Sequence, residues 1–376
     1  MLSSLTTASA RFLSDEDPVA AAEALIAEGR ASEAAALLGK FLSANRGGLL
    51  MRLTMQKALA ASGDKAGALA MARETALANA NIALAALALG DALLAADQLP
   101  TAIGEFQRAL RLDPQLERAR AQLGAAWLAA GEAQKALEAW DTIENIASLE
   151  ALAPAIADAE KSLARPRSDP RYVRHLFDQF SASYDSRMMT ELLYSAPSIL
   201  RQLAELLGLD RRGPQAILDL GCGTGLMGLA VRDWVDRLDG VDLSPAMIEK
   251  ARPRAIYDEL FVSDVGDWLA RQERHYDLVF AADTLVYLGD LAPLFEVVAR
   301  CLARDGQFLF TVEKSSGPAF ELGPKRRWRH SETYLRELAE GAGLNVAGLI
   351  ACEPRTEAGS PVEGLAAAFA QCGDSA

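Results

Sequence analysis

The chain has 376 residues, of which 51% are hydrophobic. Because a single hydrophobic core seldom serves a chain of this length, two domains are expected. Its formal net charge of −13 disfavours a sequence-independent grip on nucleic acid, and we expect no nucleic acid partner. The cysteines and histidines are scattered without metal-site spacing, which predicts neither a disulfide framework nor a metal. No apolar run is long enough to span a membrane, so a cytoplasmic protein without a membrane partner is expected.

The N-terminal part of the chain is repetitive, and similar residue types recur with a regular period. Turn residues, small residues and bulky residues each recur in one register; the members are Gly29, Gly63, Asp97 and Gly131, then Ala34, Ala68, Ala102 and Ala136, then Leu25, Leu59, Leu93 and Trp127. Alanine lets two helices approach closely, whereas the bulky residue fills the gap to the next pair. The pattern resembles the tetratricopeptide repeat, a helix–turn–helix unit of about 34 residues.

This resemblance implies an all-α tetratricopeptide solenoid over residues 15–164, made of about four repeats and a capping helix. The concave face of such a solenoid usually holds a peptide or another protein, so a protein partner is expected there. A role limited to dimerisation or stabilisation is the alternative. Residues 165–170 contain two prolines among polar residues and predict a linker, because they cannot continue a helix. The second domain is then expected over 171–376.

A strand followed by a glycine-rich turn is the most informative motif of the second domain. The apolar run 217–220 leads directly into Gly221, Gly223 and Gly225, and a helical pattern follows. Glycines without side chains let a ligand approach the backbone at the N-terminus of a helix. Later strands end in Asp242, in Asp264 and in the segment 281–288, which contains Asp283 and Tyr287.

This succession resembles the class I S-adenosylmethionine-dependent methyltransferases over roughly the C-terminal half of the chain. The resemblance implies an α/β Rossmann-like fold with a seven-stranded sheet, and S-adenosyl-L-methionine as the cofactor. It assigns Asp219 to the methionine amino end, Asp242 to the ribose and Asp264 to the adenine. The cofactor-binding residues that it implies are Asp219, Gly221, Cys222, Gly223, Gly225, Asp242, Leu243, Asp264, Val265, Ala281 and Tyr184.

Tyr184 belongs to residues 171–208, which resemble the helices that cover the cofactor in many small-molecule methyltransferases. The motif there is Phe-x-x-x-x-x-x-Tyr-Asp, from Phe177 to Asp185, and Tyr184 is expected to close over the methionine end. The whole chain is similar to a bacterial group in which tetratricopeptide repeats precede a methyltransferase domain. That resemblance does not name an acceptor.

Two other functions are compatible with the pattern. Gly223, Gly225 and Gly228 also satisfy the dinucleotide-binding motif of a nicotinamide-dependent oxidoreductase. Against it, Asp219 would face a pyrophosphate unfavourably, and two strand-like runs at 344–352 and 362–370 predict a final hairpin with an antiparallel strand. The other alternative is a tetratricopeptide scaffold whose cofactor-binding domain is not catalytic.

The methyl acceptor is expected near the end of the fourth strand. Asp283 and Tyr287 are candidate catalytic residues, and Glu313 is a further polar candidate. The basic segment 325–330 is the densest in an acidic chain, and Arg326, Arg327 and His330 are predicted to bind the acceptor. We therefore expect a methyltransferase with an anionic small-molecule acceptor or a protein or carrier-bound one. A solvated loop that balances nearby acids is the alternative for this segment.

Overall fold

The computed structural model describes residues 17–44, 47–213, 215–317 and 319–371. The chain divides into two compact units, Met1–Leu163 and Ala164–Ala376. Residues 15 and 16, where the predicted solenoid begins, lie outside the described residues. The same holds for residues 1–14 and for residues 372–376, which include Cys372.

The first unit is helical throughout its described part. Its helices are α1 (Pro18–Ala27), α2 (Ala31–Ser43), α3 (Leu49–Ala61), α4 (Lys65–Ala78), α5 (Ala83–Ala95), α6 (Leu99–Leu112), α7 (Glu117–Ala129), α8 (Ala133–Asp141) and α9 (Ile146–Ala164). The even-numbered helices α2 to α8 begin at residues 31, 65, 99 and 133, and α3, α5 and α7 begin at 49, 83 and 117. Helix starts therefore recur at one constant interval, which equals the spacing of the glycine and alanine registers in the sequence.

The turns inside the helical pairs share one backbone conformation. Gly29, Gly63, Asp97 and Gly131 all have positive φ, between +57° and +87°. Each lies two residues before the second helix of its pair. The left-handed region is open to glycine without steric cost and is tolerated by aspartate, which explains the residue types in this register.

Close helix packing recurs at equivalent positions in the third and fourth pairs. A Cβ atom on Gly90 would overlap the ring of Phe106, and one on Gly124 would overlap the indole of Trp140. Trp140 is 1% exposed, and its Nε1 donates a hydrogen bond of 3.1 Å to the Ala121 carbonyl. Helix α9 covers this last pair, because its buried Ala159 belongs to the same apolar cluster as Trp140.

The second unit is built on one large sheet with helices on both faces. Its helices are α10 (Pro170–Phe180), α11 (Tyr184–Thr190), α12 (Ala196–Leu206), α13 (Leu226–Val231), α14 (Pro245–Ala251), α15 (Val265–Leu269), α16 (Ala292–Cys301) and α17 (Glu332–Gly341). Its strands are β1 (Gln215–Leu220), β2 (Val235–Asp242), β3 (Glu259–Val262), β4 (Tyr276–Ala281), β5 (Leu302–Lys314), β6 (Phe320–Leu322), β7 (Trp328–His330), β8 (Leu344–Cys352), β9 (Thr356–Glu357), β10 (Ser360–Pro361) and β11 (Gly364–Gln371). Short 3-10 turns lie at Leu209–Arg211, Arg232–Trp234, Arg252–Arg254, Leu285–Tyr287 and Pro324–Arg326.

The strand order is β3-β2-β1-β4-β5-β11-β8. Strands β1 to β5 are parallel, whereas β11 lies antiparallel to both β5 and β8. The predicted final hairpin is therefore present, with its last strand inserted between β5 and β8. The described sheet has nine strands rather than the expected seven, because β7 pairs with the end of β5 and β6 pairs with β7. Both extra strands lie in or beside the basic segment.

The central strands are buried on both faces, as parallel strands covered by helices must be. Phe308 and Phe310 of β5 contribute to one apolar core, and Leu309 between them contributes to the other. Because β1 to β4 run in one direction, their carboxyl ends meet at one edge of the sheet. The glycine turn, the acid that ends β2 and the acids that follow β3 and β4 are thereby brought to this edge, where open α/β sheets bind ligands.

The packing of the fourth helical pair makes a stability prediction. Gly124→Ala should lower the free energy of unfolding of the helical unit by about 1–3 kcal/mol, because the added methyl overlaps the buried Trp140 indole. Gly104→Ala is the matched control in α6, since a Cβ atom there meets nothing within 4 Å. It should raise the same free energy by about 0.5–1 kcal/mol through helix propensity. Urea denaturation followed by circular dichroism measures both, and equal effects would contradict the packing.

Candidate functional site

The glycine turn after β1 is held in a conformation that suits glycine. Gly221, Gly223 and Gly225 have φ of +69°, +53° and +96°. A Cβ atom on Gly221 would overlap the side chain of Thr284. The amides of Gly221 and Cys222 both donate to the Val241 carbonyl at 2.8 and 3.0 Å, which fixes the turn against the end of β2.

Asp219 lies directly behind this turn and is 1% exposed. The Tyr257 hydroxyl donates to its Oδ2 at 2.7 Å. Its other oxygen, Oδ1, is buried and has no hydrogen-bond partner among the described residues. Burial raises the pKa of the Asp219 carboxyl to about 7, although the Tyr257 hydrogen bond opposes the shift. A cationic or hydrogen-bonding ligand at this oxygen would stabilise the ionised carboxylate.

Asp242 ties the glycine turn to the end of β2. Its Oδ2 accepts from the Gly223 amide and its Oδ1 from the Ser244 amide, both at 2.8 Å. Burial raises the pKa of the Asp242 carboxyl to about 6, and these amide donors limit the rise. The carboxylate is thus fixed in one orientation at the wall of the cleft.

The helices α10 and α11 are anchored to the sheet edge by two aspartates of the Phe-Asp…Tyr-Asp segment. The Ser244 hydroxyl donates to Asp178 Oδ1 at 2.5 Å, which joins α10 to the start of α14. Asp185 accepts from the Thr224 hydroxyl at 2.5 Å and forms an ion pair with Arg254. Both aspartates belong to the motif found in the sequence, but their anchoring contacts are visible only in the structure.

Three aromatic rings meet beside the turn. Phe177 of α10 contacts Tyr184 edge-on, with ring centroids 6.1 Å apart, and Tyr287 edge-on at 5.6 Å. Burial raises the pKa of the Tyr184 and Tyr287 hydroxyls, so both stay neutral near pH 7. The three rings give this part of the cleft an apolar wall, and Tyr184 and Tyr287 add hydroxyl groups to it.

The structure brings most of the predicted cofactor residues to one cleft. Those that line it are Tyr184, Gly221, Gly223, Asp242, Leu243, Asp264 and Val265, together with the candidate catalytic residues Asp283 and Tyr287. Asp219, Cys222, Gly225 and Ala281 do not line it. Cys222 is buried behind the turn, where burial raises the pKa of its thiol well above the usual value.

Asp283 follows β4 in a left-handed conformation, with φ of +56°. Its amide donates to the Thr311 hydroxyl at 2.9 Å, and its carboxylate forms an ion pair with Arg355. Burial raises the pKa of Asp283, and Arg355 opposes the shift. Arg355 is 1% exposed and also pairs with Glu313 and Glu357. The sequence did not predict a role for Arg355, because this arginine between β8 and β9 belongs to no recognisable motif.

A second cavity adjoins the cleft. Phe177, Tyr184, Asp283 and Tyr287 line both spaces. The rest of the second cavity is lined by apolar side chains from the anchored helices and the residues after them, and by arginines; these are Leu176, Phe180, Met188 and Leu192, with Arg187, Arg327 and Arg355. A mostly apolar wall with a few charged groups is typical of a small-molecule site.

Of the three predicted acceptor-binding residues, only Arg327 lines the second cavity. Arg327 lines the second cavity and forms an ion pair with Glu357. Arg326 instead stacks over Tyr172, with its guanidinium carbon 4.9 Å from the ring centroid. His330 is fully buried, with Nε2 2.9 Å from the Gly289 carbonyl, and burial lowers the pKa of its imidazole to about 4. His330 lines neither the cleft nor the second cavity.

Comparison with known proteins agrees with this geometry. Residues 217–306 match the family model described as a methyltransferase domain. The second unit contains a methyltransferase domain. The match covers β1 to β4 and the first part of β5, including the glycine turn and its acids.

Individual relatives match the same part of the chain. A malonyl-acyl-carrier-protein O-methyltransferase of Acetivibrio thermocellus is 28% identical over 146 residues, which are 38% of this chain and 50% of that protein. A trans-aconitate 2-methyltransferase of Escherichia coli is 40% identical over 107 residues, which are 27% of this chain and 41% of that protein. The chain thus spans about half the length of these relatives or less.

Among solved structures, the magnesium protoporphyrin IX methyltransferase of Synechocystis with bound S-adenosylmethionine aligns with a TM-score of 0.37 and 17% identity. The alignment covers 47% of this chain and 79% of that one.

S-adenosylmethionine is the cofactor that a methyltransferase domain implies, and the residues of the cleft fit it. The ligand carries an ammonium and a sulfonium charge, and Asp219 offers an orphaned buried oxygen behind the turn. Asp242, Asp264 and Asp283 add carboxylates to the wall of the cleft. Asp242 carries no arginine partner in the described residues, and its negative charge disfavours the pyrophosphate of a nicotinamide dinucleotide at this wall.

Neither a metal site nor a membrane-spanning helix is found in the described residues. No group of three or more histidine, cysteine, aspartate or glutamate side chains is placed to hold a metal ion there. Across the same ranges, none of the helices combines the length and apolar character needed to cross a bilayer.

The raised pKa of Asp219 makes a prediction about binding. In the free protein this carboxyl is protonated below about pH 7, and it must lose the proton to face an ammonium group. The affinity for S-adenosylmethionine should therefore fall as the pH drops below 7, by up to about tenfold per pH unit. Asp219→Asn should bind about 10- to 100-fold more weakly at pH 8 and lose this dependence above pH 6.

Titration calorimetry between pH 5.5 and pH 8.5 provides the measurement. Asp236→Asn is the matched control, because Asp236 is exposed on β2 and does not line the cleft. Its affinity and pH dependence should equal those of the wild type. An Asp219→Asn protein with unchanged affinity would show that this carboxylate does not face the ligand.

Proposed function

We propose that the protein transfers the methyl group of S-adenosylmethionine to an acceptor bound in the second cavity. The observation that carries this proposal is the shared wall, in which Phe177, Tyr184, Asp283 and Tyr287 belong to both the cofactor cleft and the second cavity. Methyl transfer needs the donor and the acceptor to meet in line at one such junction. The cofactor supplies an electrophilic methyl group with a neutral thioether as the leaving group.

The protein's own contribution is orientation and exclusion of water. Correct alignment of two reactants can supply about 7–11 kcal/mol of the barrier reduction. Asp219 and Asp242 would hold the cofactor, and the rings of Phe177 and Tyr184 would shield the junction from solvent. Tyr287, neutral because burial raises its pKa, would donate a hydrogen bond to the acceptor. Asp283 would accept a proton only from an acceptor that has one to lose.

We propose further that the acceptor is anionic. Arg327 reaches the second cavity from the basic segment, and Arg355 reaches it from the C-terminal hairpin. Guanidinium groups in a mostly apolar wall suit a carboxylate better than an amine. The names of two relatives specify a malonyl group on an acyl carrier protein and trans-aconitate, and both are carboxylic acids. A carboxylate acceptor needs no general base, in keeping with the ion pair that occupies Asp283.

We also propose that the helical unit is a tetratricopeptide-type solenoid. Support comes from helix starts that recur at one constant interval and from the positive φ shared by Gly29, Gly63, Asp97 and Gly131. Equivalent glycines, Gly90 and Gly124, pack against Phe106 and Trp140 in successive pairs. Such a unit would hold a protein partner on its concave face, and a carrier protein that bears the acceptor is one such partner.

Two measurements test the proposed activity. Titration calorimetry with S-adenosylmethionine should give micromolar affinity, and the same titration with NADH should give none. Transfer of a labelled methyl group should then be assayed with trans-aconitate and with malonyl-acyl-carrier protein as probes. Binding without transfer to any acid in a cell extract would favour a non-catalytic scaffold. Absence of binding would contradict the proposal.

A matched pair of arginine variants tests the acceptor site. Arg327→Ala should raise the KM for an acidic acceptor about tenfold or more, because it removes a charge-assisted hydrogen bond of about 1.5–3 kcal/mol. Arg326→Ala should change the KM less than twofold, since Arg326 stacks on Tyr172 outside the cavity. Initial rates with the acid that accepts the label measure both. Equal effects of the two variants, or no effect of either, would contradict an anionic acceptor at Arg327.

A further inference from the structure

The residues just before α10 form part of the cofactor cleft. Residues 166–168, here called the strap, run along the segment 287–290 that follows β4. The Pro166 carbonyl accepts from the amides of Gly289 and Asp290 at 2.8 and 3.0 Å. The Ser168 amide donates to the Tyr287 carbonyl at 2.9 Å, and Arg167 forms an antiparallel bridge with Leu288. The predicted linker is therefore bound to the methyltransferase domain by its backbone.

This close approach depends on a glycine in the segment beneath the strap. A Cβ atom on Gly289 would lie 2.6 Å from the Pro166 carbonyl oxygen. The strap also continues directly into α10, because the Asp169 side chain accepts from the Arg171 amide at 2.8 Å and caps that helix. Its position is thus set by backbone contacts at both ends.

The side chain of Arg167 points from the strap into the wall of the cleft. Its Nη2 lies 2.5 Å from Oδ2 of Asp264, and its side chain is only 30% exposed. The other oxygen of Asp264 accepts from the Gly266 amide at 3.0 Å at the start of α15. The two contacts engage different oxygens of the carboxylate. A carboxylate offers about four lone-pair sites, so Asp264 can still accept from a ligand.

A second polar atom of Arg167 is buried without a hydrogen-bond partner among the described residues. This atom is Nε. A buried donor without an acceptor destabilises the protein unless a ligand atom accepts from it.

We propose that Arg167 is a positioning residue of the cofactor site, which orients Asp264 toward the amino group of the adenine ring. The inference rests on the proposed function, because the adenine assignment of Asp264 comes from the methyltransferase resemblance. Arg167 lies outside the matched residues 217–306, so the family match assigns it no role. Without the guanidinium, Asp264 would keep its cap on α15 but lose the contact that fixes its second oxygen.

Cofactor-product analogues that differ at one group provide the test. S-adenosylhomocysteine carries the adenine amino group, and S-inosylhomocysteine carries a carbonyl in its place. Arg167→Ala should weaken binding of S-adenosylhomocysteine about tenfold and change binding of S-inosylhomocysteine less than twofold. Arg167→Lys, which keeps the charge, should recover part of the loss. Titration calorimetry on the full chain measures all of these affinities.

Arg165→Ala is the matched control, because Arg165 is exposed two residues earlier and does not line the cleft. It should leave both affinities unchanged. The strap's backbone contacts remain in Arg167→Ala, so its melting curve should match that of the wild type within a few degrees. Equal losses for the two ligands, or no loss for either, would overturn the role of Arg167 while leaving the proposed function intact. A wild-type protein that binds neither ligand would contradict the proposed function itself, and the role of Arg167 would fall with it.

Discussion

The methyltransferase domain depends on burying carboxylates around a turn whose backbone conformation favours glycine. Asp219 and Asp242 lose most of their hydration, and burial raises the pKa of both groups. Burying a carboxylate is unfavourable, and a bound cation can offset the lost hydration free energy. The parallel strands make the arrangement possible, because they deliver several acids to one edge of the sheet. Buried carboxylates at this edge favour a ligand that carries a positive charge over one that carries a pyrophosphate.

Around this turn the remaining elements enclose the cleft. Helices α10 and α11 are fixed by Asp178 and Asp185, and they place two aromatic rings over the cleft. Arg355, buried in the C-terminal hairpin, fixes the carboxylate of Asp283 from the other side. The second cavity therefore has apolar walls from the helices and cationic groups from the hairpin and the basic segment. Selectivity for the acceptor would reside in these late segments rather than in the glycine turn.

Local sequence patterns were sufficient to predict those residues of the cleft that lie on a single strand end or in the turn after it. The glycine turn, Asp242 and Asp264 could be predicted because each occupies a strand end. The role of Arg355 could not be predicted, because Asp283 and Glu313 lie far from it in the sequence and no motif connects them. Likewise, nothing local separates Arg327, which lines a cavity, from the neighbouring Arg326, which stacks on a tyrosine. The buried environment of His330 is also set by tertiary packing alone.

A crystal structure of the full chain with S-adenosylhomocysteine is the most direct test of the central claim. The account predicts the amino end of the ligand at the glycine turn in front of Asp219 and its ribose hydroxyls at Asp242. Rings of Phe177 and Tyr184 should then lie next to the sulfur. A cleft that stays empty at saturating ligand, or one that instead accepts a pyrophosphate at the glycine turn, would contradict it.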